Sequence, residues 1–146
     1  MPVAARPALP YAGTVPLAPL PAPVAASLAR AVRGIAEAEV AEELDRNDLL
    51  GVPGLDETAH VLQARLLGMP RHFAAGMVAL TLGFEAAGPF SALPLERRRR
   101  RLARLRALPL GPLKNFTTFY DKMAPFIFWS VLEESGQIEG VLGEGP

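Results

Sequence analysis

The sequence predicts an all-α fold, a small orthogonal bundle of about five short helices with an extended proline-rich N-terminal arm. Apolar residues recur at three- and four-residue spacing in successive segments, and Pro and Gly separate these segments. No run of β-branched residues alternates with polar ones, as a half-buried strand would require. At 146 residues the chain suits one domain with a modest core. We predict an arm at 1–23, a helical domain at 24–135 and a flexible tail at 136–146.

The predicted arm holds seven prolines and no acidic residue. Proline fixes φ and lacks a backbone donor, so an extended, polyproline-like conformation is expected. Two interpretations stay open. The arm is a disordered tail, or it is ordered against its own domain or along a partner's surface.

The first predicted helix covers Val24 to Leu44, and Gly34 weakens its middle. Its apolar stripe is Val24, Leu28, Val32 and Ile35.

The next two helices are predicted from their end signals. Asp56 is the expected N-cap of the second helix, Gly68 ends it, and Pro70 precedes the third. The third helix has an apolar stripe made of Phe73, Met77, Leu80 and Phe84.

The fourth helix begins near Pro94 and carries five consecutive arginines: Arg97, Arg98, Arg99, Arg100 and Arg101. Five adjacent residues point in every direction around a helix, so at least one must face the core or a partner, with its aliphatic stem packed. The others are solvated, paired within the chain, in contact with a partner protein, or in contact with nucleic acid. Segment 37–57, with eight acids and one arginine, could neutralise the run, and the net charge is zero. Nucleic acid is therefore the least favoured partner.

After Pro109 and Pro112, an aromatic helix is expected, which Pro125 should break or kink. It holds six of the ten aromatic residues of the chain: Phe116, Phe119, Tyr120, Phe126, Phe128 and Trp129. Ordinary core packing, a protein interface and insertion at a membrane surface are the three interpretations. The charge-free apolar run 123–132 is too short to cross a bilayer, which takes about 20 residues.

The sequence offers no catalytic constellation. It has no cysteine, its two histidines are twelve positions apart without a suitably placed carboxylate, and it contains no phosphate-binding glycine loop. Prolines interrupt any secretory apolar core near the N-terminus. A cytoplasmic protein that binds rather than catalyses is expected, and its richness in Ala, Arg, Pro and Gly suggests a GC-rich bacterial genome.

Several segments together resemble a known helical region. They are Phe90, "LPLERR" at 93–98, Leu102 with Leu105, "LPL" at 108–110, "LKNFTTFY" and "FWS", with a weaker match at "LDETAHVLQARLL". This pattern is similar to the helical region that precedes, or accompanies as a small subunit, certain glucose–methanol–choline (GMC) flavoproteins. Such regions include the N-terminal part of long-chain alcohol oxidases and subunit 3 of gluconate-type dehydrogenases.

The resemblance implies an accessory subunit without chemistry of its own. FAD and the catalytic histidines would belong to a separate GMC-type large subunit. The arginine run and the six aromatic residues named above would bind that partner, and neither nucleic acid nor a membrane is expected to bind. Some small subunits carry a twin-arginine signal and a cysteine-ligated cluster, which this chain lacks, so export and electron relay are not carried over. The alternative is a free-standing helical protein that binds a lipid or another apolar small molecule between the third and the aromatic helix.

Overall fold

A computed structural model describes residues 17–46, 49, 51–138 and 141. Within these ranges the fold is all-α, as predicted, without a strand. It comprises α1 (Ala22–Leu44), α2 (Leu55–Leu67), α3 (Arg71–Ala86), a short 3₁₀ turn (Phe90–Ala92), α4 (Leu95–Ala107) and α5 (Gly111–Ser135).

Helix α1 is the centre of the bundle, because each of the other four helices and the 3₁₀ turn packs against it. The predicted stripe residues Leu28, Val32 and Ile35 are fully buried. Gly34 has a low helix propensity, but its small size is needed for packing. A Cβ at this position would lie 3.3 Å from the Cα of Ser91, so the missing side chain lets the 3₁₀ turn approach α1 closely.

The ends of α2 correct one prediction and confirm another. Asp56 is not the N-cap, because the helix begins at Leu55 and Gly54, with φ of 89°, occupies the cap position. That backbone conformation favours glycine over aspartate. Asp56 lies in the first turn, where its carboxylate forms an ion pair with Arg33 Nε at 2.8 Å. Gly68 ends the helix and Pro70 precedes α3, as expected.

The arm is described only from Leu17 onward, so the prediction for residues 1–16 lies outside the described residues. Leu17 and Leu20 pack against the main core, which places this end of the arm on the protein's own domain. Helix α1 begins two residues earlier than predicted, with Pro23 in its first turn, where a missing N–H costs no helical hydrogen bond.

Of the tail predicted to be flexible at 136–146, residues 136–138 and 141 are described, and its apolar residues there pack on the bundle. Val141 is buried in a second apolar cluster with Val40, Phe128 and Leu132, and Ile138 packs against that cluster. Arg46 Nη2 also donates to the carbonyl of Val141 at 3.2 Å. Burial of these two apolar side chains stabilises their position against the bundle after α5 ends at Ser135.

Candidate functional site

Helix α5 continues through Pro125, so the predicted break does not occur. A proline inside a helix costs about 3 kcal/mol, whereas burying one large apolar side chain contributes roughly 1.5–3 kcal/mol. Ala124, Ile127 and Phe128, on both sides of the proline, are buried. Their packing outweighs the lost backbone hydrogen bond and keeps the segment helical.

Three of the six aromatic residues assigned to a partner surface lie in the protein's own core. Phe116, Tyr120 and Phe128 are fully buried. The ring of Phe116 packs edge-on against Phe84 of α3, with centroids 6.0 Å apart. Side chains this deeply buried offer a partner almost no surface in this conformation, so their assignment to a binding surface is corrected.

Tyr120 ties α5 to α3 by a buried hydrogen bond. The Thr81 hydroxyl donates to the carbonyl of Met77 at 2.8 Å, so its oxygen accepts from the Tyr120 hydroxyl, also at 2.8 Å. Burial raises the pKa of the Tyr120 phenol, which therefore stays neutral. This role is structural.

The other three aromatic residues remain at least partly accessible. Phe119 is partly buried against the core, and Trp129 is half-buried, with its Nε1 donating to Glu43 at 3.3 Å. Phe126 is 59% exposed. Of the aromatic helix, only Phe126 presents most of its ring to solvent.

Arg98 is the arginine that faces inward, in line with the argument from five adjacent residues. It is 8% exposed. Its guanidinium donates to the carbonyl of Gly34 at 2.8 Å, to Glu37 at 3.0 Å and to the carbonyl of Leu93 at 3.0 Å. Arg98 thus joins α4 to the middle of α1.

A second inward contact, from Arg106, joins three helices. Its guanidinium binds Glu39 of α1 at 2.9 Å and Asp121 of α5 at 3.1 Å, and it lies 3.6 Å from Glu42. Glu39 is only 3% exposed, and its Oε2 has no hydrogen-bond partner among the described residues. Burial raises the pKa of this carboxyl to about 8, against the opposing effect of Arg106.

Replacing Glu39 by Gln should flatten the pH dependence of stability. The folded protein holds the Glu39 proton up to a pKa of about 8, whereas the unfolded chain releases it near 4.5. The free energy of unfolding therefore falls as pH rises from about 4.5 through 8. Urea titrations across this window should show a smaller decrease for E39Q than for the wild-type protein, with Glu42→Gln, an exposed neighbour, as the control. An identical slope in E39Q and the wild type would contradict the assignment.

The remaining arginines divide between two faces of α4. Arg99 turns toward α1, where Nη1 donates to the carbonyl of Arg46 at 3.1 Å. Arg97, Arg100, Arg101 and Arg104 line a surface cavity of about 360 Å³ with Leu93, and we call these four the outer arginines. Among the described residues of the acidic segment 37–57, Glu37 pairs with Arg98, Glu39 and Glu42 pair with Arg106, and none forms an ion pair with an outer arginine. The expected neutralisation of the run is therefore seen only on its inward side.

Helix α3 presents an uncharged outer face that sequence reasoning missed. Phe73, the first residue of the predicted apolar stripe, is 54% exposed, whereas Met77 is buried. The exposed residues of what we call the α3 face are Phe73, Ala75, Gly76, Ala79, Gly83 and Ala87. The sequence does indicate this face, because small residues recur at four-residue spacing from Ala75 to Ala87. A Cβ on Gly76 or Gly83 would meet nothing within 4 Å, so the described chain leaves this face uncovered.

An apolar groove adjoins the α3 face. Its volume is about 180 Å³, and it lies between α3, the end of α4 and the start of α5. Its walls are Ala79, Leu80, Gly83, Phe84, Leu105, Leu113 and Phe116. Leu108 and Leu110, in the turn between the two wall residues Leu105 and Leu113, are also exposed. The exposed residues of the α3 face and the walls of this groove carry no charged side chain.

Neither a metal centre nor a membrane span emerges from the described part of the chain. No three His, Cys, Asp or Glu side chains there are grouped to hold an ion. None of the described helices has both the length and the apolar character that crossing a bilayer requires. The chain matches no protein-family model, no curated protein and no solved structure.

Proposed function

We propose that this protein is a non-catalytic, cytoplasmic accessory subunit that binds and stabilises a GMC-type FAD-dependent oxidoreductase in a bacterial alcohol- or sugar-oxidising pathway. The observation that carries a binding role is the uncovered α3 face with its adjoining groove. Large apolar patches on soluble domains are typical of interaction sites. The identity of the partner comes from the resemblance of the helices at 55–67 and 90–130 to GMC-associated regions.

The α3 face suits a partner helix or a flat protein surface. Ala and Gly at Ala75, Ala79 and Gly83 let a second backbone approach closely, while Phe73 and the groove offer larger apolar contacts at either side. Aromatic and small apolar contacts of this kind need no charged group in the interface core. FAD is expected in the partner, and the isolated subunit is expected to show no flavin absorbance.

The alternative, an apolar small-molecule carrier, has less support. Ligand cavities commonly measure about 300–1,000 Å³ and enclose most of the ligand. The groove beside α3 is about 180 Å³ and is open at the surface. One wall residue, Phe116, packs against Phe84 and Tyr120. A shallow groove between packed aromatics fits the edge of a protein partner better than an enclosed lipid.

Replacing Ala79 by Glu should weaken the complex with the flavoprotein strongly. A carboxylate at the centre of the α3 face would be buried without a partner, and central interface changes cost roughly 2 kcal/mol or more. Co-expression with a GMC flavoprotein of the same bacterium, followed by co-purification and titration, measures the effect. Ala64→Glu, at an exposed position of α2, is the matched control because the residue types and helix context are the same.

Two results would contradict the proposal. In one, the wild-type chain fails to co-purify with any GMC flavoprotein encoded beside it. In the other, A79E and A64E bind the flavoprotein equally well, which would remove the α3 face from the interface. A stoichiometric flavin spectrum of the isolated chain would instead show that the cofactor belongs here.

A further inference from the structure

We infer that the outer arginines form a docking site for a short acidic peptide segment of the partner subunit. This inference rests on the proposed function and adds a second, polar contact to the apolar one. Arg97, Arg100, Arg101 and Arg104 follow positions i, i+3, i+4 and i+7, so they share one face of α4. Among the described residues, no acidic side chain lines the cavity that they form with Leu93.

The like charges of the four outer arginines destabilise α4 unless an anion binds between them. Arg97 and Arg101, like Arg100 and Arg104, stand at i, i+4 spacing, where like charges destabilise a helix. Arg97 and Arg104 are exposed and have no ion-pair or hydrogen-bond partner among the described residues. Arg100 has a loose exposed pair with Glu96 at 3.5 Å. A carboxylate between these guanidinium groups would relieve their repulsion and accept charge-assisted hydrogen bonds.

Arg101 is held in place before any ligand arrives. Its Nη1 donates to the carbonyl of Gly88 at 3.1 Å. The guanidinium also lies 5.4 Å from the ring centroid of Phe84 and 5.9 Å from that of Phe90. A fixed guanidinium loses little conformational entropy on binding, and its remaining N–H groups are available for a planar, bidentate carboxylate.

The surroundings favour a short acidic segment over a nucleic-acid backbone. The neighbouring surface on the α1 side of α4 includes Glu42, Asp45 and Glu96. An extended polyanion would pass close to these three carboxylates of the protein and be repelled by them. The few side-chain carboxylates of a short acidic peptide would instead stay within the outer-arginine cavity. The chain has no net positive charge to retain a nucleic acid elsewhere.

A binding titration with an oligoglutamate peptide tests the site directly. The full-length chain is titrated at about 0.15 M salt, where long-range charge effects are screened, with an oligoglutamine peptide of equal length as the neutral reference. The variant R97Q/R104Q removes two charges without breaking any described contact. R65Q/R71Q removes the same charge from exposed positions of α2 and α3 and is the matched control.

We expect R97Q/R104Q to lose about tenfold in affinity for oligoglutamate, because two exposed charge pairs with the peptide are removed and each contributes only modestly. R65Q/R71Q should bind like the wild type, and oligoglutamine should not bind. Equal weakening in both double variants, or no binding of oligoglutamate by the wild type, would overturn the inference. Tighter binding of a thymidine oligonucleotide of matched charge, lost in R97Q/R104Q, would overturn it in favour of nucleic acid.

Binding of the wild type and of R97Q/R104Q to the flavoprotein distinguishes failure of this inference from failure of the proposed function. If the flavoprotein co-purifies and R97Q/R104Q binds it as tightly as the wild type, the proposed function stands and the acidic docking site is wrong. If oligoglutamate binds at the outer arginines and no GMC flavoprotein co-purifies, the anion site stands and the proposed partner is wrong.

Discussion

Replacing Phe128 by Ala should lower the free energy of unfolding by about 3–5 kcal/mol, the usual cost of removing a fully buried phenylalanine. Phe128 is 0% exposed and packs in the second apolar cluster with Val40, Leu132 and Val141. The resulting cavity would loosen α5, the end of α1 and the C-terminal segment together. Thermal and urea unfolding, followed by circular dichroism, measure the loss.

Phe126→Ala is the matched control, because the same side chain is removed two positions away on the same helix. Phe126 is 59% exposed, so its truncation should change stability by about 0.5 kcal/mol or less. Equal destabilisation by the two substitutions would show that α5 is turned differently around its axis. The half-buried Trp129 provides a fluorescence signal for the same unfolding transition.

Replacing Arg98 by Met should destabilise the protein by about 2–3 kcal/mol. Met keeps the apolar stem of the side chain but removes the donors to Gly34, Glu37 and Leu93. Hydrogen bonds that involve a charged group contribute roughly 1.5–3 kcal/mol each, and the buried carbonyls would lose a partner.

Arg97→Met, at the adjacent position, is the control for the loss of one positive charge. Arg97 is exposed, so its replacement should leave the melting temperature nearly unchanged. If R98M and R97M unfold alike, Arg98 does not join α4 to α1 in solution.

The aromatic helix shows why the sequence could predict elements but not surfaces. Phe126 and Phe128 stand in one apolar run, and either could be core by residue type alone. Their exposures differ completely because α1 and the C-terminal segment cover one side of α5 and not the other. The partner surface predicted from aromatic content was therefore misplaced for Phe116, Tyr120 and Phe128.

The same limit applies to the α3 face. The three- and four-residue spacing from Phe73 to Phe84 indicated one apolar stripe, yet the bundle covers Met77 and leaves Phe73 exposed. Helical spacing tells which residues share a side of the helix. It does not tell how far a neighbouring helix extends along that side, and α3 packs against the distant α1 as well as against its sequence neighbours.

The sequence by itself determined the all-α fold, the approximate ends of five helices and the inward position of one arginine in the run. These follow from local physics: apolar spacing, the missing donor of proline, the freedom of glycine, and the geometry of five adjacent side chains. Only the tertiary structure decided that Arg98 faces inward, that Glu39 is buried beside Arg106, and that the α3 face stays uncovered. These outcomes depend on which segments meet in space, because burial and charge pairing arise between residues far apart in the chain.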